Sequence, residues 1–238
     1  MPSWPTIRAV QHIGIVACSA EGAALCYQAI CREALTRVGK NDHPRITIDS
    51  IPLAAWMPAF DAGDYAGVAA IMLDSARLLA QAGCDFLICP DNSAHLAWEH
   101  LQADTPLPWI HIAEPVGTEA LRLGSTRVGL LGTRFTMTGP IYPTALGALG
   151  VDVVVPTETD RADVDRIIFD ELIDGVLLPT SRARYVEVIQ ELASRGADSV
   201  ALACTEIPLL IAPEDSPLPT LDSTRLLAAA ALTRAIDG

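Results

Sequence analysis

The sequence predicts an α/β protein made of two pseudo-symmetric parallel-sheet α/β halves with a cleft between them. Three observations carry this. Short apolar runs alternate with longer helix-like stretches, the rhythm of a parallel sheet covered by helices. The rhythm restarts near residue 127. Two segments then match: A-G-C-D-F-L-I-C-P-D-N-S at 82–93 and R-G-A-D-S-V-A-L-A-C-T-E at 195–206. Gly83 and Gly196, Asp85 and Asp198, and Asp91 and Cys204 are each 113 residues apart. The half starts also match loosely, HIGIVAC at 12–18 against RVGLLGT at 127–133.

The elements follow in order. Residues 12–17 read as a buried strand, 21–38 as an amphipathic helix, and 46–51 as a strand ended by Pro52. An Ala/Leu helix over 65–81 is stopped by Gly83. A strand over 85–89 is stopped by Pro90, and Asn92 or Ser93 caps a helix over 94–101. His111, in W-I-H-I, belongs to a core strand. A helix over 114–123 ends near Gly124. The second round has a strand at 127–131, a mostly helical 136–149 whose start Pro140 and Pro143 confine, and a strand at 151–155. Helices over 160–174 and 181–195, a strand at 199–203 and a closing helix over 222–235 complete it.

Composition limits the function classes. The 238 residues are 50% apolar and 19% charged, a globular composition for one large domain or two small ones. The net charge is −13 and Lys/Arg never cluster, so no nucleic acid or anionic membrane surface is expected as a partner. No run reaches 18 apolar residues, and residues 1–10 do not read as a signal peptide, so a cytoplasmic location is expected. Cysteines 18, 26, 31, 84, 89 and 204 form no C-x-x-C pair and are expected as free thiols. Trp4, Trp56, Trp98 and Trp109 could mark an interface, but scattered tryptophans are usually core.

Ligands of open parallel sheets bind at the C-terminal strand ends. There, two halves related by a pseudo-twofold axis aim Asp91 and Cys204 at one cleft. Cys204 precedes Thr205-Glu206-Ile207-Pro208, and Pro208 suits the first turn of a helix. A helix start beside the thiol favours a thiolate, which is both nucleophile and base; the other reading is a buried strand-end cysteine. Asp91 is either a proton-transfer group or a helix cap. Asn92, Ser93, Thr205 and Glu206 supply donors and acceptors beside them. In L-L-G-T-R-F-T-M (130–137), Gly132 permits close backbone approach, and Thr133, Thr136 and Arg134 offer hydroxyls and a cation to an anion. A capped helix with a solvent-facing Arg134 is the alternative. The matching turn of the first half, Ala17-Cys18-Ser19, would line the same cleft. His95 reads as a structural helix histidine before a catalytic one, and no cluster has metal-ligand spacing.

These residues resemble the aspartate/glutamate racemase family, with hydantoin racemases, maleate isomerases and arylmalonate decarboxylases as relatives. The resemblance covers nearly the whole chain through P-D-N-S-A-H (90–95), L-L-G-T-R-F-T-M (130–137), I-I-F-D-E-L-I-D-G (167–175), A-C-T-E-I-P-L-L (203–210) and the segment 219–224. It implies two halves, 1–115 with 214–238 and 116–213, and a cofactor-independent amino-acid racemase with aspartate- or glutamate-like substrates, forming a homodimer. In the family two cysteines, one per half, remove and return the α-proton. The second corresponds to Cys204; the first corresponds to position 91, which is Asp here.

The resemblance therefore implies Cys204 and Asp91 as the acid/base pair. Asn92, Ser93, Thr133, Thr136, Thr205, Glu206, Cys18 and Ser19 would bind a small carboxylate or amino acid. Asp at 91 leaves three readings: a desolvated base opposite Cys204, a ligand for the substrate ammonium, or a single-cysteine decarboxylase or isomerase of a small dicarboxylate. A silent carboxylate-binding relative is a fourth. Asp174 stands where some members have a Lys, Leu227 where a His is common, and Ala17-Cys18-Ser19 where Gly-Gly-Met is common. A larger or less acidic substrate therefore stays open.

Overall fold

The computed structural model describes residues 10–238; residues 1–9, which hold Trp4 and nearly all of the segment considered as a signal peptide, lie outside that range. Two four-stranded parallel sheets form. The first contains β1 (Ile13–Ala17), β2 (Ile46–Ser50), β3 (Phe86–Ile88) and β4 (Trp109–Ile110), ordered β2-β1-β3-β4. The second contains β5 (Arg127–Gly132), β6 (Asp152–Val154), β7 (Ser199–Ala203) and β8 (Thr220–Asp222), ordered β6-β5-β7-β8. The order is the same in both, so the repeated sequence is a repeated topology.

The Gly-x-Asp match has a structural cause. Gly83 (φ 83°) and Gly196 (φ 90°) take the left-handed conformation that turns each helix end back toward the sheet. The aspartate two residues on then ties two strands together. The His12 amide donates to Asp85 at 2.6 Å, and the Arg127 amide donates to Asp198 at 3.2 Å. Each tie sets the register of a central strand, β1 or β5, against its neighbour β3 or β7.

Eleven α-helices cover the sheets among the described residues. They are α1 (Ala20–Arg37), α2 (Leu53–Ala62), α3 (Tyr65–Gln81), α4 (Trp98–Leu101), α5 (Ala113–Arg122) and α6 (Arg134–Thr138). The rest are α7 (Ile141–Gly147), α8 (Glu158–Asp170), α9 (Pro179–Ser194), α10 (Ile207–Leu210) and α11 (Ser223–Asp237). The strands β1, β3 and β7 are buried throughout, as a sheet covered on both faces requires. Ile13 and Ile15 pack with Ile30 of α1 and Leu227 and Leu232 of α11, whereas Val16 and Leu87 face Met72 and Leu79 of α3. Each such side chain contributes about 1.5–3 kcal/mol on burial.

The halves interlock. Helix α5 follows β4 of the first sheet, yet its Ala113, Val116 and Ala120 pack with Val128 and Leu130 of the second. Helix α11 follows β8 of the second sheet and packs on the first. Packing passes to the second sheet along α5, from Ala113, and back to the first along α11, from Ser223, where the expected division runs at 116 and 214. Strand β8, placed with the first half by that division, pairs with β7.

Other expectations are corrected locally. The helix expected over 94–101 is a 3₁₀ turn, Ser93–Ala97, followed by the short α4. The helix over 136–149 is split into α6 and α7 at Gly139-Pro140, where a Cβ on Gly139 would lie 2.7 Å from Phe135 O and Pro140 lacks an amide hydrogen. The helix over 160–174 ends at Asp170 and continues as a 3₁₀ turn, Leu172–Asp174. Helix α2, unforeseen from the sequence, follows β2 directly. No helix among the described residues is long and apolar enough to cross a membrane.

Candidate active site

Strand β3 stops before Cys89-Pro90, because proline cannot extend the ladder. The chain then turns, and the Ala94 amide donates to Asp91 Oδ1 at 2.9 Å. Asp91 thus caps the 3₁₀ turn and lines the cleft at once. Burial pushes its carboxyl above the usual aspartate range; the Ala94 amide opposes this, and the nearby Glu206 adds to it. Cys18 is buried behind Asp91, and burial with the Asp91 charge pushes its thiol up.

Cys204 follows β7 and precedes α10. Its thiol donates to Glu206 Oε2 at 2.9 Å, and Thr205 Oγ1 donates to the same oxygen at 2.8 Å. The helix start that would favour a thiolate is opposed here. Burial and the Glu206 carboxylate hold the thiol well above its ordinary range, and a helix of one turn does not outweigh them.

Hydroxyls meet across the halves. Ser93 Oγ lies 2.9 Å from Thr133 Oγ1 and 3.3 Å from Thr136 Oγ1. Thr133 caps α6 and lines the cleft, whereas Thr136 is fully buried beneath it. Gly132 is needed for its close approach: a Cβ there would sit 2.7 Å from Ala203 O. Ser19 caps α1 and also lines the cleft. Gly22, in the same turn, lets Thr205 come near; its Cβ would meet Thr205 Cγ2 at 2.9 Å.

Asn92 lines the cleft but its side chain is engaged. Tyr142 donates to Asn92 Oδ1 at 2.6 Å, Asn92 Nδ2 donates to Ser223 Oγ at 3.1 Å, and Ser223 donates to Leu202 O at 3.0 Å. This buried chain joins the turn after β3 to α7, α11 and β7. Asn92→Ala leaves the Tyr142 hydroxyl without its acceptor. A loss of about 2–3 kcal/mol, or roughly 4–12 °C in Tm, is expected by thermal denaturation. An unchanged Tm would mean the chain contributes nothing.

The cleft encloses about 530 Å³ with its open mouth. Of the residues expected to bind substrate, Ser19, Asn92, Ser93, Thr133, Thr205 and Glu206 line it, as do Asp91 and Cys204; Cys18 and Thr136 stand behind its wall. His95 does not line it; its Nε2 lies 3.2 Å from Cys89 O, and burial holds the ring neutral by lowering its pKa well below the usual value. Arg134 is not free for an anion. It pairs with Asp61 of α2 at 3.0 Å and Asp165 of α8 at 3.1 Å, with its guanidinium 4.2 Å over Phe135. The unforeseen part is an apolar wall: Leu53, Met57 and Phe60 of α2, and Phe135, Ile168, Phe169 and Ile173. The i, i+4, i+7 spacing of 53, 57 and 60 was a legible helical face. No three His, Cys, Asp or Glu side chains converge on a metal position among the described residues.

Two like parallel α/β halves, interlocked by exchanged helices and presenting ionisable groups to a shared cleft from corresponding strand ends, define a class of two-lobed small-molecule proteins. The chain belongs to the Asp/Glu/Hydantoin racemase family, whose model matches residues 13–231. It is 27% identical over 191 residues to the broad specificity amino-acid racemase RacX of Bacillus subtilis, covering 79% of this chain and 80% of that one. With the glutamate racemase of Desulforudis audaxviator it shares 29% over 136 residues, 56% of this chain but only 48% of that enzyme. A crystal structure of an aspartate racemase homologue from Pyrococcus horikoshii superposes with a TM-score of 0.81 at 28% identity, covering 94% of this chain and 99% of that one.

Proposed function

We propose that this protein is an amino-acid racemase that needs no cofactor, with Asp91 and Cys204 as its acid/base pair. One observation carries the reading: Asp91 and Cys204 line the same cleft from corresponding strand ends of the two halves. A pair so related by pseudo-symmetry can address opposite faces of an α-carbon.

A carboxyl is a stronger acid than a thiol, so the abundant form carries an Asp91 carboxylate and a Cys204 thiol. Asp91 Oδ1 is held by the Ala94 amide. Oδ2 takes the α-proton, and Cys204 Sγ delivers one to the opposite face. The pair then stands inverted, Asp91 protonated and Cys204 a thiolate, ready for the other enantiomer. The raised pKa of Asp91 makes it a stronger base than an exposed aspartate. Glu206, through its hydrogen bond from the thiol, positions Sγ and resists premature loss of its proton. The Ser93 and Thr133 hydroxyls and nearby amides receive the substrate carboxylate, whose charge grows as the enolate forms.

The test is proton NMR in deuterated water with L- and D-forms of a broad amino-acid panel, followed by chiral analysis. Loss of an α-proton signal together with inversion is expected. Exchange without inversion would favour the single-cysteine reading. No exchange with any amino acid overturns the proposal, and malonates and maleate become the next substrates to try.

A further inference from the structure

We infer that the substrate of this site carries an uncharged, apolar side chain rather than a second carboxylate. The inference rests on the racemase reading and narrows it. The observation is the pairing of an apolar wall with an unrelieved negative floor.

The cleft has three ionisable lining groups, Asp91, Cys204 and Glu206, and all are acids. No Lys, Arg or His lines it among the described residues. Arg134, between the lining residues Thr133 and Phe135, is held by Asp61 and Asp165 and lies over Phe135. Asp174 is exposed and does not line the cleft, so the end of that segment offers Ile173 instead of a charge.

A monocarboxylic amino acid fits this field. Its ammonium is drawn to Asp91 and Glu206, and its one carboxylate can use the Ser93 and Thr133 hydroxyls and backbone amides. A second carboxylate would face two carboxylates at low dielectric with no counter-charge. The rest of the surface explains what replaces it. Leu53, Met57, Phe60, Phe135, Phe169 and Ile173 line the cleft with carbon. Phe60 and Phe135 come from opposite halves and pack with ring centroids 5.6 Å apart, so the wall spans both. Burying a side chain of leucine or phenylalanine size against such a wall strengthens binding by about tenfold to a hundredfold.

The experiment compares α-proton exchange kcat/KM for L- and D-leucine, methionine and phenylalanine with that for L- and D-aspartate and glutamate, using the full chain. The apolar set is expected to exceed the acidic set by at least about tenfold. Ile173→Arg, which puts a cation on the wall, is expected to shift the ratio toward glutamate by at least about tenfold. Faster exchange of aspartate or glutamate by the wild type overturns the inference and leaves the racemase reading standing. If no amino acid exchanges, the racemase reading fails. The inference is then decided by ligand-induced Tm shifts with the same ten compounds. A larger rise with the apolar set supports it; a larger rise with the acidic set, or none with any, overturns it.

Discussion

Cys204→Ser is expected to lower racemisation about 10³-fold, within the 10²–10⁴ range of positioned proton-transfer groups. A hydroxyl is a far weaker acid than a thiol, and its conjugate base is correspondingly hard to form at neutral pH. The folded state should hardly notice. Serine is nearly isosteric, and its hydroxyl can donate to Glu206 Oε2 as the thiol does. Tm should therefore stay within a few degrees of the parent. The two readouts separate chemistry from folding: a large rate loss at constant Tm assigns the proton to Sγ. Racemisation retained within about threefold would remove Cys204 from the chemistry.

Asp91→Asn is expected to lower the rate by about 10²–10⁴ as well, by removing the opposite proton-transfer group. Its stability effect should have the other sign. Asn caps helical turns as well as Asp does, so the bond from the Ala94 amide persists. The buried charge disappears. Asp91 has a folded-state pKa raised above its ordinary value of 3.8. The stability linked to its proton is fully present below that value and is lost as pH rises through the folded pKa. At neutral pH the parent therefore carries the cost of a buried carboxylate, and Asp91→Asn should be the more stable protein. The gap should shrink toward acid, as urea denaturation at several pH values would show. An equal or lower stability at pH 7 would mean that the carboxylate is well solvated or paired.

The pH profile joins the two variants. In the parent, kcat/KM should rise as Asp91 ionises, with its acid limb above 3.8, and fall when Cys204 loses its proton above 9.0. Residual activity of Asp91→Asn should lack the acid limb. Early in a reaction in deuterated water the product should carry deuterium from Cys204 while recovered substrate keeps its proton. Label in both from the start would point to a single proton carrier.

Much of the fold was legible because it is written in local signals. The alternation of apolar runs and helical stretches reports two-sided burial, and Gly83-x-Asp85 and Gly196-x-Asp198 report the same turn and strand tie in each half. That repeat alone set Asp91 and Cys204 at corresponding strand ends. Strand β4 was legible in W-I-H-I, although it ends at Ile110 and leaves His111 outside it, whereas β8 was missed because three residues carry no period. The split between α6 and α7 was only hinted at by its prolines.

What the sequence determined by itself is thus the family, the doubled α/β architecture and the two ionisable groups, since each depends on spacing along the chain. The tertiary structure decided the rest. Only packing shows that Arg134 is neutralised by Asp61 and Asp165, residues 73 and 31 positions away. Only packing brings α2 over the cleft as a carbon wall, and ties Asn92 to Tyr142 and Ser223. It also sets the protonation of Cys204, because a thiol's pKa depends on its burial and on the carboxylate it touches, neither of which spacing along a chain records.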